Sequence, residues 1–302
     1  MINYWYKGLL LGLLLLLPGL ALAQQAAGQV IIVKSSDNNY FKQSIETLVG
    51  KLPRKAEYQV VTTQELADSS EIIDDKSLVV TLGQSAAEAV SRLDRANRSI
   101  NAYLTLEQFK SYNRKNQLGV LLDQPLHRYL AFSKLILAVD SIGIIEDQKN
   151  DPGQRHTRLL GDLELELNQY RIDPVNKLLP VLRRLLAQND ALLMLPRQSI
   201  YNRDTLKGVL LTSYRNRKPA ISYSPAHVKS GALASIYSSP TDIGMHLALL
   251  VNRRLQKPDY QAPAFEYARF YSIATNRRVA RALQISIPTE SKLRSALDRL
   301  EP

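Results

Sequence analysis

Short apolar runs alternate with amphipathic helical stretches along almost the whole chain, and this alternation limits the available folds more than any other feature. The runs QVIIVKS (29–35), YQVVTT (58–63), SLVVTLG (77–83), INAYLT (100–105) and LGVLLDQ (118–124) are apolar without a polar alternate, as strands covered on both faces are. Between the first two, Phe41, Ile45, Leu48 and Val49 fall on one helical face of residues 40–49. The pattern restarts after Pro125. A helix over 126–139, a strand over 141–147, a helical stretch over 153–167 and a weaker strand near 168–173 come first. A Pro-started helix over 180–188, a strand over 191–196, a helix over 203–216 and a strand over 219–224 follow. These are too many strand–helix units for one small sheet. The expectation is an α/β chain of two Rossmann-like, doubly wound lobes, with an eight-unit barrel as the second choice.

The chain has 302 residues, 45% hydrophobic and 22% charged, which suits two packed domains of ordinary size. It has no cysteine, which excludes disulfides, thiolate zinc sites, a Cys nucleophile and a lipid-modified N-terminal Cys. Its first residues, MINYWYKGLLLGLLLLLPGLALAQQ, combine Lys7, an apolar Leu9–Leu17 run, the breaker Pro18–Gly19 and small residues at Ala21 and Ala23. This is the layout of a secretory signal peptide. The apolar stretch Gly8–Ala23 is shorter than the ~20 residues a spanning helix needs. The expectation is therefore a signal over 1–23 that is cleaved, a periplasmic mature chain, and no stable membrane insertion thereafter. The net charge of +11 comes from 39 basic and 28 acidic residues, and removal of Lys7 leaves +10. The basic residues occur as scattered pairs (Arg183–Arg184, Arg253–Arg254, Arg277–Arg278), so no nucleic-acid partner is expected.

In doubly wound sheets ligands bind beyond the carboxyl ends of the strands, where helix N-termini expose free N–H groups. In the first lobe this selects Ser35, Ser36 and Asn39 after the first strand, Gly83, Gln84 and Ser85 after the third, and Asp123 and Gln124 after the last. In the second lobe it selects Asp147, the segment Pro196–Asn202 and Ser222, Tyr223 and Ser224. Ser36, Asp37, Asn38, Ser85 and Asn202 are equally good helix caps, which is the commoner use of such residues. Asp242 is assigned to a helix N-terminus, His246 to a core, and Gly231 and Gly244 to a turn and a close approach.

The segments VTLGQSAAEA (80–89), LDQPLHRYLAF (122–132), DALLMLPRQSIYNRDTLKGVLLTSYRNRKPAISYS (190–224), VKSGALASIYSSPTDIG (228–244) and FYSIATNRRVARALQISIP (270–288) resemble the periplasmic substrate-binding proteins of ABC transporters. The group resembled is that of the aromatic amino-acid binders, in a stand-alone variant. The resemblance covers the last two thirds of the chain; the first 75 mature residues match in pattern only. It implies a type 1 periplasmic-binding fold, with an N-terminal lobe of 24–124 joined by about 240–262 and a C-terminal lobe of 125–239 joined by about 265–302. It also implies hinge closure over a small anionic or zwitterionic ligand and delivery to a permease. The helix N-termini would hold an anionic group, Tyr40, Tyr201 and Tyr223 would form walls, and Asp123 or Asp147 would pair with an ammonium. No cofactor and no metal are expected, and the protein is expected to be a monomer.

Two other functions remain open at this stage. LGQSAA places Ser85 on a strand-to-helix turn like a nucleophile elbow, but Ala87 stands where the second glycine belongs, and the histidine would have to be His227 or His246. His127 and His156 have no ligand partner at helical spacing. A hydrolase is therefore ranked below a binding protein. A ligand-sensing or scaffold module acting in trans on a membrane sensor differs from a transport protein only in its partner.

Overall fold

A computed structural model describes residues 29–93, 98–112, 117–147, 163–172, 178–258, 260 and 263–300. The signal-peptide reading falls outside them, as does the helical reading of 153–162.

The apolar runs are strands, and they form two six-stranded sheets of the same design. The first carries β1 (Val30–Lys34), β2 (Tyr58–Thr62), β3 (Leu78–Leu82), β4 (Ser99–Leu104), β5 (Gln117–Leu121) and β11 (Phe265–Tyr267), in the order β11-β5-β4-β3-β1-β2. The second carries β6 (Ser141–Asp147), β7 (Glu166–Ile172), β8 (Ala191–Leu193), β9 (Ala220–Ser222), β10 (Ala234–Tyr237) and β12 (Ser272–Thr275), in the order β12-β10-β9-β8-β6-β7. Every pairing is parallel except β10 with β12. Two doubly wound lobes are thus observed, and the barrel is not. The helical reading of 153–167 runs too far, because β7 has begun by Glu166. The strand reading of 191–196 also overruns: after Leu193 the chain turns into the loop that carries Arg197.

The helices of the first lobe are α1 (Asn39–Val49), α2 (Thr63–Asp68), α3 (Gln84–Ser91) and α4 (Leu106–Tyr112). Those that follow are α5 (Leu126–Leu137), α6 (Leu178–Gln188), α7 (Leu206–Arg215), α8 (Pro225–Ser230), α9 (Pro240–Gln256), α10 (Arg277–Leu283) and α11 (Glu290–Leu300). Two of them cover the sheet of the strand that follows them, not that of the strand they leave. Leaving β5, α5 packs Leu130, Phe132 and Ile136 into the core beneath β6 and β8 of the second sheet, beside α11. Leaving β10, α9 returns to the first sheet, where Ile243, Leu247 and Val251 join Val30, Val80 and Leu118. Gly244 permits that return: a Cβ there would stand 2.6 Å from the Ser44 carbonyl of α1. Beyond α9, β11 pairs with β5 of the first sheet.

The chain therefore crosses between the lobes three times, at 122–125, 238–239 and 268–271. Side chains lace these crossovers together. Gln124 Nε2 donates to Ser238 Oγ at 2.7 Å, and Ser238 Oγ donates to the Phe270 carbonyl at 3.0 Å. Arg128 Nη1 reaches Gln124 Oε1 at 2.5 Å and the Ala268 carbonyl at 2.9 Å, while its guanidinium stacks over Tyr271.

Candidate cleft between the lobes

In each sheet the strand order reverses between the first strand and the third, and the crevice beyond that switch point is where doubly wound sheets bind ligands. In the first lobe the switch point lies between β1 and β3, in the second between β6 and β8. The loops after β1 and β3 and those after β6 and β8 lie at these places, whereas Asp123 and Gln124 follow β5, and Ser222, Tyr223 and Ser224 lie at the end of β9.

At the first switch point the picked residues largely satisfy the backbone. Asn38 caps α1 by accepting the Phe41 N–H at 2.9 Å and donates to the exposed Ser36 hydroxyl. Ser35 Oγ accepts the Ala86 N–H at 2.9 Å and so caps α3 from the neighbouring strand. Gly83, at φ +93°, brings the backbone so close that a Cβ would lie 2.7 Å from Ser35 Oγ. Gln84 and Ser85 are exposed at the start of α3, with Gln84 bonded to Gln108. Asn39 and Tyr40 are exposed at the start of α1, Tyr40 at 66%. Nearby, Tyr103 adopts φ +62° at a β-bulge, a strained conformation for a ring-bearing residue. Its hydroxyl meets Ser44 Oγ at 2.6 Å, and Ser44 donates to the Pro240 carbonyl at the start of α9.

The second switch point carries the charge. Glu146, the penultimate residue of β6, is 0% exposed, and Arg197 from the loop after β8 grips it with Nε to Oε2 at 2.7 Å and Nη2 to Oε1 at 3.2 Å. Burial pushes the Glu146 carboxyl above its usual range, and the guanidinium pulls it back. Asp147 accepts the Ser199 hydroxyl at 2.8 Å. Pro196 precedes Arg197 and its carbonyl faces Nη1. Asn202 closes its own turn, accepting the N–H groups of Asp204 and Thr205. Ser222 is wholly buried and bonded to His227 Nδ1 at 2.7 Å; burial pushes His227 below its usual pKa, and Tyr223 packs edge-on against its ring. Ser224 caps α8.

Asp123 joins the two lobes electrically. It lies on the first crossover, half-buried, with Oδ2 accepting the Leu106 N–H at 3.0 Å. Burial raises its pKa, while that N–H and the positive charge of Arg197 on the other lobe lower it. Asp123 and Tyr223 in turn both act on the Tyr129 hydroxyl, Tyr223 acts on Tyr201, and Glu146 and Arg197 act on Tyr201 as well. Tyr129 and Tyr201 are each 2% exposed and packed in the cores of the second sheet, so Tyr201 does not form a wall; Tyr223 and Tyr267 keep part of their surface accessible. Asp123, Tyr201 and Tyr223 are among the residues picked from the sequence. Glu146, Tyr129 and Tyr267 are not, and Arg197 falls within the picked segment Pro196–Asn202 without being singled out: Glu146 sits inside an apolar strand and Arg197 inside PRQS, where nothing in the pattern separates them from neighbouring charges. Gln124, also picked, serves the crossover lacing.

The hydrolase alternative finds no support at Ser85. His227 is engaged by Ser222, and His246, 2% exposed, holds Glu266 through Nε2 at 3.0 Å and accepts the Arg269 N–H at Nδ1. Asp242 completes a capping box with Ser239 and also accepts the Ser272 hydroxyl. Among the described residues, no helix is long and apolar enough to cross a membrane.

No protein-family model and no curated protein matches the chain. Solved structures do match. The ligand-free, open structure of a substrate binding protein with adhesive properties from Clostridium difficile shares 13% identity over 87% of this chain and 97% of its own, with a TM-score of 0.64. A conserved domain protein from Vibrio cholerae shares 16% identity over 90% of this chain and 98% of its own, at 0.54. An ABC domain in complex with L-Trp from Streptococcus pneumonia shares 16% over 88% and 98%, at 0.53. The two-lobed fold of this chain is that of the type 1 periplasmic-binding proteins.

Proposed function

We propose that this chain, with the fold of the two-lobed substrate-binding proteins, is an exported solute-binding protein. It captures a small anionic or zwitterionic ligand between its lobes by hinge closure and delivers it to an ABC transporter. It performs no catalysis. The observation that supports the reading is the architecture itself: two doubly wound sheets, each with its own switch point, are joined by three crossovers that Gln124, Ser238 and Arg128 lace together. A ligand touching both switch points makes some of its contacts only in the closed state, and that difference drives closure. Tyr223 and Tyr267, which keep part of their surface accessible, supply flat, amphipathic walls.

The test is a thermal-shift screen of the mature protein across amino acids, amines, carboxylates, purines and small sugars. A ligand present at 100 times its Kd adds ~2.7 kcal/mol of stability, which is visible as a melting shift. A flat response to the whole library would contradict the reading.

A further inference from the structure

We infer that the outer end of the second lobe, remote from the cleft, is a docking surface for an anionic phospholipid bilayer. Arg215, Arg217, Lys229, Arg277, Arg278 and Arg281 hold the headgroups by charge, and Tyr214 inserts among them. The inference is independent of the solute-binding reading.

The charge is divided very unequally between the lobes. Residues 24–124 and 240–267, which build the first, hold 15 basic and 15 acidic side chains. Residues 125–239 and 268–302, which build the second, hold 23 basic and 13 acidic. The net +10 that remains without Lys7 therefore belongs to the second lobe alone. Its most one-sided stretches are 205–239 and 268–289, with nine basic residues and no acidic one.

The fold gathers these residues, scattered along the sequence, at one end. β9 and β10 run parallel, and β12 runs against β10. Residues that enter β9 and β10 and those that leave β12 thus share the end of the sheet opposite the switch-point loops. Arg215, Arg217 and Lys218 precede β9, Lys229 precedes β10, and Arg277, Arg278 and Arg281 follow β12. Contacts join the three groups. Asn276 Nδ2 donates to the Val228 carbonyl at 2.8 Å, so Lys229 and Arg277 flank one bond. Tyr214, Lys218, Gly231, Val279 and Leu283 line one shallow depression between them.

Helix stability does not account for the set. Cations favour helix C-termini, which explains Arg215 at the end of α7 and Lys229 near the end of α8. Arg277 and Arg278 are the first two residues of α10, where the helix dipole opposes them. Of the seven cations, Lys218 meets Asp190 at 3.7 Å. The other six are exposed and form no ion pair among the described residues.

A bilayer suits this surface better than an acidic protein. Protein interfaces deplete Lys and mix charge signs, whereas a leaflet offers many mobile anions to a surface of one sign. Each Lys or Arg that reaches such a leaflet tightens adsorption about 5-fold. Tyr214 is 49% exposed beside the cations, and Leu211, one turn before it, is 42% exposed. Charge alone would leave both in water; a bilayer interface takes up an aromatic and an aliphatic side chain along with the headgroup contacts.

The experiment is co-sedimentation of the mature wild-type protein with vesicles of phosphatidylglycerol and phosphatidylcholine in equal parts, and with vesicles of phosphatidylcholine alone. Adsorption to the mixed vesicles is expected at about 50 mM salt, with a loss of about 10-fold or more at about 500 mM. The neutral vesicles are expected to sediment none of the protein. Arg277→Gln combined with Arg278→Gln should weaken adsorption about 20-fold. It should hold or raise the melting temperature, because it relieves the start of α10 of two opposed charges. Lys51→Gln combined with Lys55→Gln removes the same charge from the first lobe and should change adsorption less than about 2-fold. Tyr214→Ser should weaken it roughly 3-fold. Equal sedimentation with both kinds of vesicle, or with neither, would overturn the inference. So would adsorption that is indifferent to the Arg277 and Arg278 substitutions or to Tyr214→Ser, or that falls as far with the lysine pair. Soluble polyglutamate that binds where anionic vesicles do not would assign the surface to an acidic protein and overturn the bilayer.

Discussion

Arg197 closes on Glu146 with two nearly parallel N–H···O bonds at 2.7 and 3.2 Å, and the two partners are buried very unequally: the carboxylate is inaccessible while the guanidinium side chain retains 23% of its surface. Removing either partner leaves a charge behind, but not the same charge in the same place. Arg197→Met strands a carboxylate with no access to water and should cost ~3 kcal/mol or more; Glu146→Gln leaves an arginine that can still reach solvent and should cost clearly less. Urea unfolding of the two variants measures this directly, and equal losses would contradict the burial argument.

The crossovers depend on Gln124 and Ser238. Ser238 both accepts from Gln124 and donates to the Phe270 carbonyl, so Ser238→Ala cuts two of the links at once. The expected loss is about 1–2 kcal/mol, with faster amide exchange in 122–125 and 268–271 than in the sheets. Exchange that rises uniformly through both lobes would argue against a local hinge.

Gly244 sets the approach of α9 to α1. Gly244→Ala would press a methyl onto the Ser44 backbone, which cannot rotate away, and should cost ~1–3 kcal/mol by overpacking. A neutral substitution at this site, read by thermal melting, would contradict the close contact.

His227 gives a pH dependence of definite sign. Burial depresses its pKa below the ordinary 6.5, so below that pH the unfolded chain takes up a proton that the folded state resists. The contribution to stability is complete above 6.5 and is lost as pH falls toward the folded value. Unfolding free energies measured from about pH 7.5 to 5 should fall more steeply for the wild type than for His227→Gln, which cannot titrate. Parallel curves would show that His227 is not desolvated.

The architecture was legible because it rests on local signals. Fully buried strands read as unbroken apolar runs, and the restart after Pro125 marked the second lobe. The short strands β10, β11 and β12 were missed, since runs such as Phe265–Tyr267 are too brief and too polar to stand out from loops. That α5 packs on the second sheet and α9 on the first is not readable from composition, since Leu130 and Leu247 are equally apolar; the boundaries at 125 and 240 rest on the restart of the pattern and on the resemblance. The same limit applied to the site. Strand-end positions single out Asp123, Tyr201 and Tyr223 but cannot tell that Tyr201 is packed in the core, and Glu146 hides among Ile144, Ile145 and Asp147, its bond partner Arg197 lying 51 residues away in sequence.

The central claim is that a small ligand draws the two lobes together, and small-angle scattering of the mature protein, with and without the tightest ligand from the screen, tests it most directly. The account expects the radius of gyration to fall on ligand addition, saturating at one ligand per chain. An unchanged radius of gyration at ligand saturation would contradict it.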